Sequence, residues 1–126
     1  ADPANVPSSA TYRAQINADG SLSAWEPMTS LPGASSHAAL VNFGPFLYVI
    51  GGDAGSEDPV AASVSGTESA SVRLARINLR TGALSSAGWT PVTTMSKGRS
   101  KHSTVFAGGA LFTSSGVAPS TRASLT

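Results

Sequence analysis

Two histidines, seven Asp or Glu and eight Lys or Arg supply nearly all the ionisable chemistry of this 126-residue chain. His37 and His102 each open an apolar stretch, and a metal ion would require them to converge with carboxylates in one coordination sphere. Matching places in a repeated pattern instead assign them the same structural job, an imidazole bonding a neighbouring strand. A Ser-His-Asp triad can be drawn on paper from the many serines, but no G-x-S-x-G turn exists to present a nucleophile. There is no cysteine, which excludes a thiolate nucleophile, a thiolate metal site and a disulfide framework. Gly51-Gly52-Asp53-Ala54-Gly55 lacks the Gly-Lys-Ser/Thr ending and the following helix of a phosphate loop. The residues therefore predict no cofactor, no metal and no catalysis.

Two charged groups remain as candidates for ligand contact. Asp53, Glu57 and Asp58 lie in the longest irregular stretch, 52–70, with oxygen ligands of the kind calcium takes but without the spacing of an EF-hand loop. Lys97, Arg99 and Lys101 alternate with Ser96, Gly98 and Ser100. Without interleaved aromatics they make a poor track for single-stranded nucleic acid. The net charge of +1 and a charged fraction of 12% argue against a broad electrostatic footprint for nucleic acid or an anionic membrane. No apolar run approaches the roughly 18–20 residues of a membrane-spanning helix. The length is that of one small domain, and a hydrophobic fraction of 40% is too high for a disordered polymer. The opening Ala1-Asp2-Pro3 reads as a processed or appended end.

The elements that must position these residues repeat. Trp25-Glu26-Pro27-Met28-Thr29-Ser30-Leu31 is answered 64 residues later by Trp89-Thr90-Pro91-Val92-Thr93-Thr94-Met95. Upstream, Ala14-Gln15-Ile16-Asn17 answers Ala75-Arg76-Ile77-Asn78. Downstream, Gly33 and His37 answer Gly98 and His102, and Gly51-Gly52 answers Ser115-Gly116. Within this period the signals are those of strands. Phe46 to Ile50 is an aromatic and β-branched run ended by Gly51-Gly52, which predicts a strand buried on both faces. It pairs as a hairpin with 37–43 across Gly44-Pro45. A second hairpin joins 71–79 to 84–93 at Arg80-Thr81-Gly82, and 11–17 with 21–28 is its earlier copy across Asp19-Gly20. The stretches 102–107 and 110–114, around Gly108-Gly109, copy the first hairpin. The glycines supply the positive φ that tight hairpin turns require. Helix is expected to be nearly absent. Calling the strands a to d, the order is c-d, then a-b-c-d, then a-b.

A histidine opening strand a, an apolar strand b ending in Gly51-Gly52, a glycine turn between c and d, and a tryptophan in d (Trp25, Trp89) resemble kelch repeats of the bacterial kelch-like type. The resemblance covers residues 11–117. It departs from the pattern where Ser115-Gly116 replaces the double glycine and where neither copy of strand c has a central tyrosine. It implies an all-β fold of four-stranded antiparallel propeller blades. The expected divisions are an irregular segment 1–10, strands c and d over 11–30, a complete blade over 37–95 with an insertion at 53–70, strands a and b over 102–117, and a tail 118–126. Trp25, His37, Gly51, Gly52, Trp89, His102 and Gly116 are the structural residues of the repeat, and both tryptophans are expected to be largely buried between blades.

Kelch propellers have four to eight blades, whereas these strands make about two and would not close a ring. Two uncovered blade faces exceed what a soluble monomer tolerates, so another chain, or copies of this one, is expected to cover them. The chain is read as a fragment, as one of two chains, or as a self-assembling protomer. The family resemblance implies recognition by loops on a rigid ring. In a meander the tight a-b and c-d turns share one rim and the longer b-c and d-a connections the other, so a protein or carbohydrate ligand is expected on the second rim, at Asp53, Glu57, Asp58, Lys97, Arg99 and Lys101. One alternative is part of a propeller enzyme acting on sugars, of the sialic-acid or galactose-oxidising kind. The absence of cysteine argues against the cysteine-linked tyrosine copper cofactor of the latter. Another is a structural surface module of a secreted bacterial protein, and the location expected is secreted or cell-surface.

Overall fold

The apolar run Phe46 to Ile50 lies between a Gly44-Pro45 turn and the left-handed Gly51 and Gly52, so the chain can only run straight between two sharp reversals. It becomes β4 at the centre of a four-stranded antiparallel sheet. The computed structural model describes residues 8–53 and 68–116. Over these it holds β1 (Thr11–Arg13), β2 (Glu26–Met28), β3 (Ala39–Phe43), β4 (Phe46–Ile50), β5 (Val72–Arg76), β6 (Thr90–Pro91), β7 (Ser103–Ala107) and β8 (Ala110–Ser114), and no helix. The sheet order is β3-β4-β5-β6, a simple meander, with separate two-stranded sheets β1-β2 and β7-β8 beside it. This is the all-β, antiparallel class expected.

Registers follow from the turns. Phe43 faces Phe46 and Ala39 faces Ile50 across the β3-β4 hairpin, and the β7-β8 hairpin pairs Ala107 with Ala110 and Ser103 with Ser114 in the same way. β5 runs back along β4 with Ile50 opposite Val72 and Phe46 opposite Arg76. The d strands are much shorter than the sequence suggests. Pro27 and Pro91 have no N–H to give a ladder, and Gly88, at φ 65°, breaks the extended run before Trp89. The rest of each c-d hairpin survives as one bridge, Ile16 to Leu22 in the first copy and Ile77 to Leu84 in the second.

The core is small. Among the described residues the buried apolar side chains are Ile50, Val72, Ala75 and Trp89. β4 was expected to be buried on both faces, yet only Ile50 is, and Phe46 to Val49 are half-buried. The reason is architectural: each face of the sheet meets a two-stranded hairpin rather than a full sheet. Trp25, expected buried, is 65% exposed. Trp25 lies just before β2, and no layer covers it among the described residues.

The backbone also corrects the repeat register around the histidines. His37 and Lys101 share the left-handed conformation, at φ 55° and 54°. Gly51 and Ser115, at 67° and 65°, and Gly52 and Gly116, at 102° and 96°, match at the same spacing. The strands β3 and β7 also match at 64 residues, so His37 corresponds to Lys101 and His102 to Ala38. The two histidines are thus not equivalent, because the spacing of 65 that relates them is one residue out of step with the strands that follow.

Candidate functional site

Three connections meet where strands b end. Ser36 and Asp53 exchange backbone hydrogen bonds of 2.9 and 2.8 Å, Ser69 N donates to Gly52 O at 2.7 Å, and Gly52 N donates to Arg99 O at 2.8 Å. Arg99 N in turn donates to Ser69 O at 3.0 Å, and Lys101 N to His37 O at 3.0 Å. The connection after β4 and the one before β7 are therefore laced together by main-chain groups. The lacing requires glycine. A Cβ on Gly51 would lie 2.5 Å from Arg99 O and 2.8 Å from the His102 ring. Gly98 likewise packs on the backbone of Glu68.

The side chains at this seam are polar and partly enclosed. Glu68 and Ser100 are buried, at 6% and 1% exposure, and the Oγ atoms of Ser35 and Ser100 have no hydrogen-bond partner among the described residues. His102 lies against Gly51 and Gly116. Its imidazole is held below the ordinary histidine pKa, first by burial and then by the nearby Arg99 guanidinium, with the Ile50 backbone opposing the shift. Arg99 also reaches Ser115 O through Nη1 at 3.4 Å. Of the six candidate ligand residues, Asp53 and Arg99 meet at this seam, while Lys97 and Lys101 flank it with exposed side chains. Glu57 and Asp58 lie outside the described residues. Sequence reading missed Glu68, Ser35 and Ser100. Their side chains matter only because two connections distant in the chain close over them. Among the described residues no group of three His, Asp or Glu is placed to hold a metal ion, and no helix is long and apolar enough to cross a membrane.

A second feature is apolar. Trp89, 7% exposed, donates from Nε1 to Thr29 O at 3.0 Å, tying the end of the four-stranded sheet to the hairpin β1-β2. It lines a cleft with Thr11, Met28, Leu31 and Leu47. Burying an indole removes about 150–250 Å² from water, about 4–6 kcal/mol of transfer free energy at 25 cal/mol per Å², so this contact dominates the junction. Arg13 reinforces it by donating from Nη1 to Thr81 O, while its ion pair with Glu26 at 2.5 Å lies within the hairpin. On the other side, Phe43 stacks on Phe106 with centroids 4.4 Å apart, joining β3 to β7. A larger cleft of about 360 Å³ opens between the sheet and β7-β8, lined by Val72, Leu74, Val92, Met95 and Leu111 among others. The sequence matches no protein-family model, and no curated protein matches it significantly.

Proposed function

We propose that this chain is a non-catalytic scaffold and recognition segment of a kelch-like β-propeller, with the four-stranded meander as one blade and the two hairpins as parts of its neighbours. The observation that carries the reading is the seam. The connection after β4 and the one before β7 are laced by Gly52 N to Arg99 O and Arg99 N to Ser69 O, whereas Gly44-Pro45 and Gly108-Gly109, at the far ends of β3-β4 and β7-β8, are tight turns. Irregular connections held by a rigid sheet are where recognition sits. Asp53, Lys97, Arg99 and Lys101 supply charge-assisted hydrogen bonds there for a carbohydrate or a protein loop. The low charge and the Ser/Thr-rich composition fit a secreted or cell-surface setting.

A panel of immobilised neutral and acidic oligosaccharides tests the reading. Binding by the parent chain is expected to fall by about tenfold or more in the double variant Lys97→Glu, Arg99→Glu, the loss of one or two charged hydrogen bonds. Arg80→Ala, at the turn between strands c and d, is expected to bind like the parent. If the Arg80 variant loses binding and the charge reversals keep it, the recognition surface has been placed on the wrong rim.

A further inference from the structure

The two clefts described above are the same cleft twice. At the repeat spacing, Thr11, Met28, Leu31 and Leu47 of the first correspond to Val72, Val92, Met95 and Leu111 of the second. The first contains a tryptophan from the strand-d end of the following sheet, Trp89. In the second, the residues next to β7-β8 that would supply such a tryptophan are not found among the described strands. A hairpin of that kind is present in the chain itself. The hairpin β1-β2 is a c-d pair whose Trp25 corresponds to Trp89 and is 65% exposed, with Tyr12 at 59% on the same hairpin. Backbone edges match as well: among the described strands β8 pairs only with β7, and β1 only with β2.

Resting on the blade reading above, we infer that a second copy of this chain completes β7-β8 with its own β1-β2 hairpin, inserting its Trp25 into the cleft of Val72, Leu74, Val92, Met95 and Leu111. The pairing of β4 with β5 sets the register. In the joint, Ala110 of one copy faces Gln15 of the other, Leu111 faces Ala14, and Ser114 faces Thr11, antiparallel. Just as Trp89 Nε1 donates to Thr29 O, the second copy's Trp25 donates to Thr93 O, the corresponding carbonyl. The occupant follows from the internal template: the cleft takes a tryptophan-bearing c-d hairpin, and this chain carries one with its indole uncovered. The same stacking covers Val105 and Phe112, which face each other on the outer side of β7-β8 at 58% and 59% exposure, with the second copy's sheet, whose Leu40 is 65% exposed. The contact is heterologous, head to tail, so it closes into a ring or propagates as an open chain.

Because the chain has no cysteine, a cysteine pair reports the register directly. In Ala110→Cys, Gln15→Cys the two positions are expected to form an intermolecular disulfide under mild oxidation, since directly opposed strand residues have Cα separations within disulfide reach. The off-register pair Ala110→Cys, Thr11→Cys is expected not to. Sedimentation of the full chain is expected to show concentration-dependent multimers, and Trp25→Ala is expected to weaken association by about tenfold or more. A chain that stays monomeric at all accessible concentrations, or that cross-links equally in both registers, overturns the inference. Single-tryptophan variants separate this from failure of the blade reading. With Trp25→Phe, emission from Trp89 must be that of a buried indole even in the monomer. An exposed Trp89 would remove the stacked blades themselves, whereas a buried Trp89 in a permanent monomer would remove only the self-completion.

Discussion

His102 shows how a residue of unremarkable sequence context acquires a particular setting. Its ring lies against Gly51 and Gly116, near the Arg99 guanidinium, and burial and that charge both disfavour the imidazolium. The folded chain therefore takes up this proton later than the unfolded chain as pH falls. The stability contributed by neutral His102 is complete above the ordinary histidine value of about 6.5 and is lost as the pH falls below it toward the folded-state pKa. The thermal midpoint of the parent is expected to drop more steeply between about pH 7 and pH 5 than that of His102→Gln. Parallel profiles would show that His102 is not coupled to folding. The two histidines look alike in sequence, but only the left-handed backbone shared by His37 and Lys101 reveals that they are one position out of step.

Among the elements, β3-β4 and β7-β8 were legible almost to the residue, because alternating or continuous apolar runs between glycine turns leave the chain few options. The c-d pairs were less so, since Pro27, Pro91 and Gly88 end the ladder early and side-chain pattern alone does not show where a backbone donor is missing. The double glycine does two jobs that can be separated. Gly51 and Gly108 both hold positive φ, at 67° and 57°, but a Cβ on Gly51 meets Arg99 O at 2.5 Å, whereas one on Gly108 meets nothing within 4 Å. Gly108→Ala is expected to cost about 1–2 kcal/mol, the left-handed penalty alone. Gly51→Ala is expected to cost about 1–3 kcal/mol more from overpacking against the next connection, as read by denaturant melts of both variants. Equal costs would mean that the close approach is not needed.

At the scale of the whole molecule the balance between apolar surface and cover decides behaviour. Among the described residues the buried apolar side chains are confined to the central sheet and Trp89 beside it, while Val105 and Phe112 form an exposed cross-strand pair. Contiguous apolar surface of this kind marks an interaction face. At dilutions where the chain is dissociated, it is expected to bind a hydrophobic dye. The double variant Val105→Thr, Phe112→Thr is expected to lose much of that signal, with folding stability changed by no more than about 0.5 kcal/mol per site, as for surface substitutions. Unchanged dye binding would place the exposed apolar surface elsewhere.

The sequence by itself determined the all-β class, the repeat and the hairpin turns, but not which side chains of the central sheet are buried. Strand periodicity and glycine conformation are local properties that one stretch of chain carries alone. Tertiary structure alone decided which of two equivalent tryptophans is buried: Trp89 has β1-β2 beside it, and Trp25 has no described layer beyond it. It also decided that Arg99, Ser69 and Gly52 share one seam, since the main-chain bonds that join them link residues 17 to 47 positions apart in the chain. Burial and convergence are properties of neighbours, and neighbours distant in sequence are set by how sheets stack rather than by the pattern within any one strand.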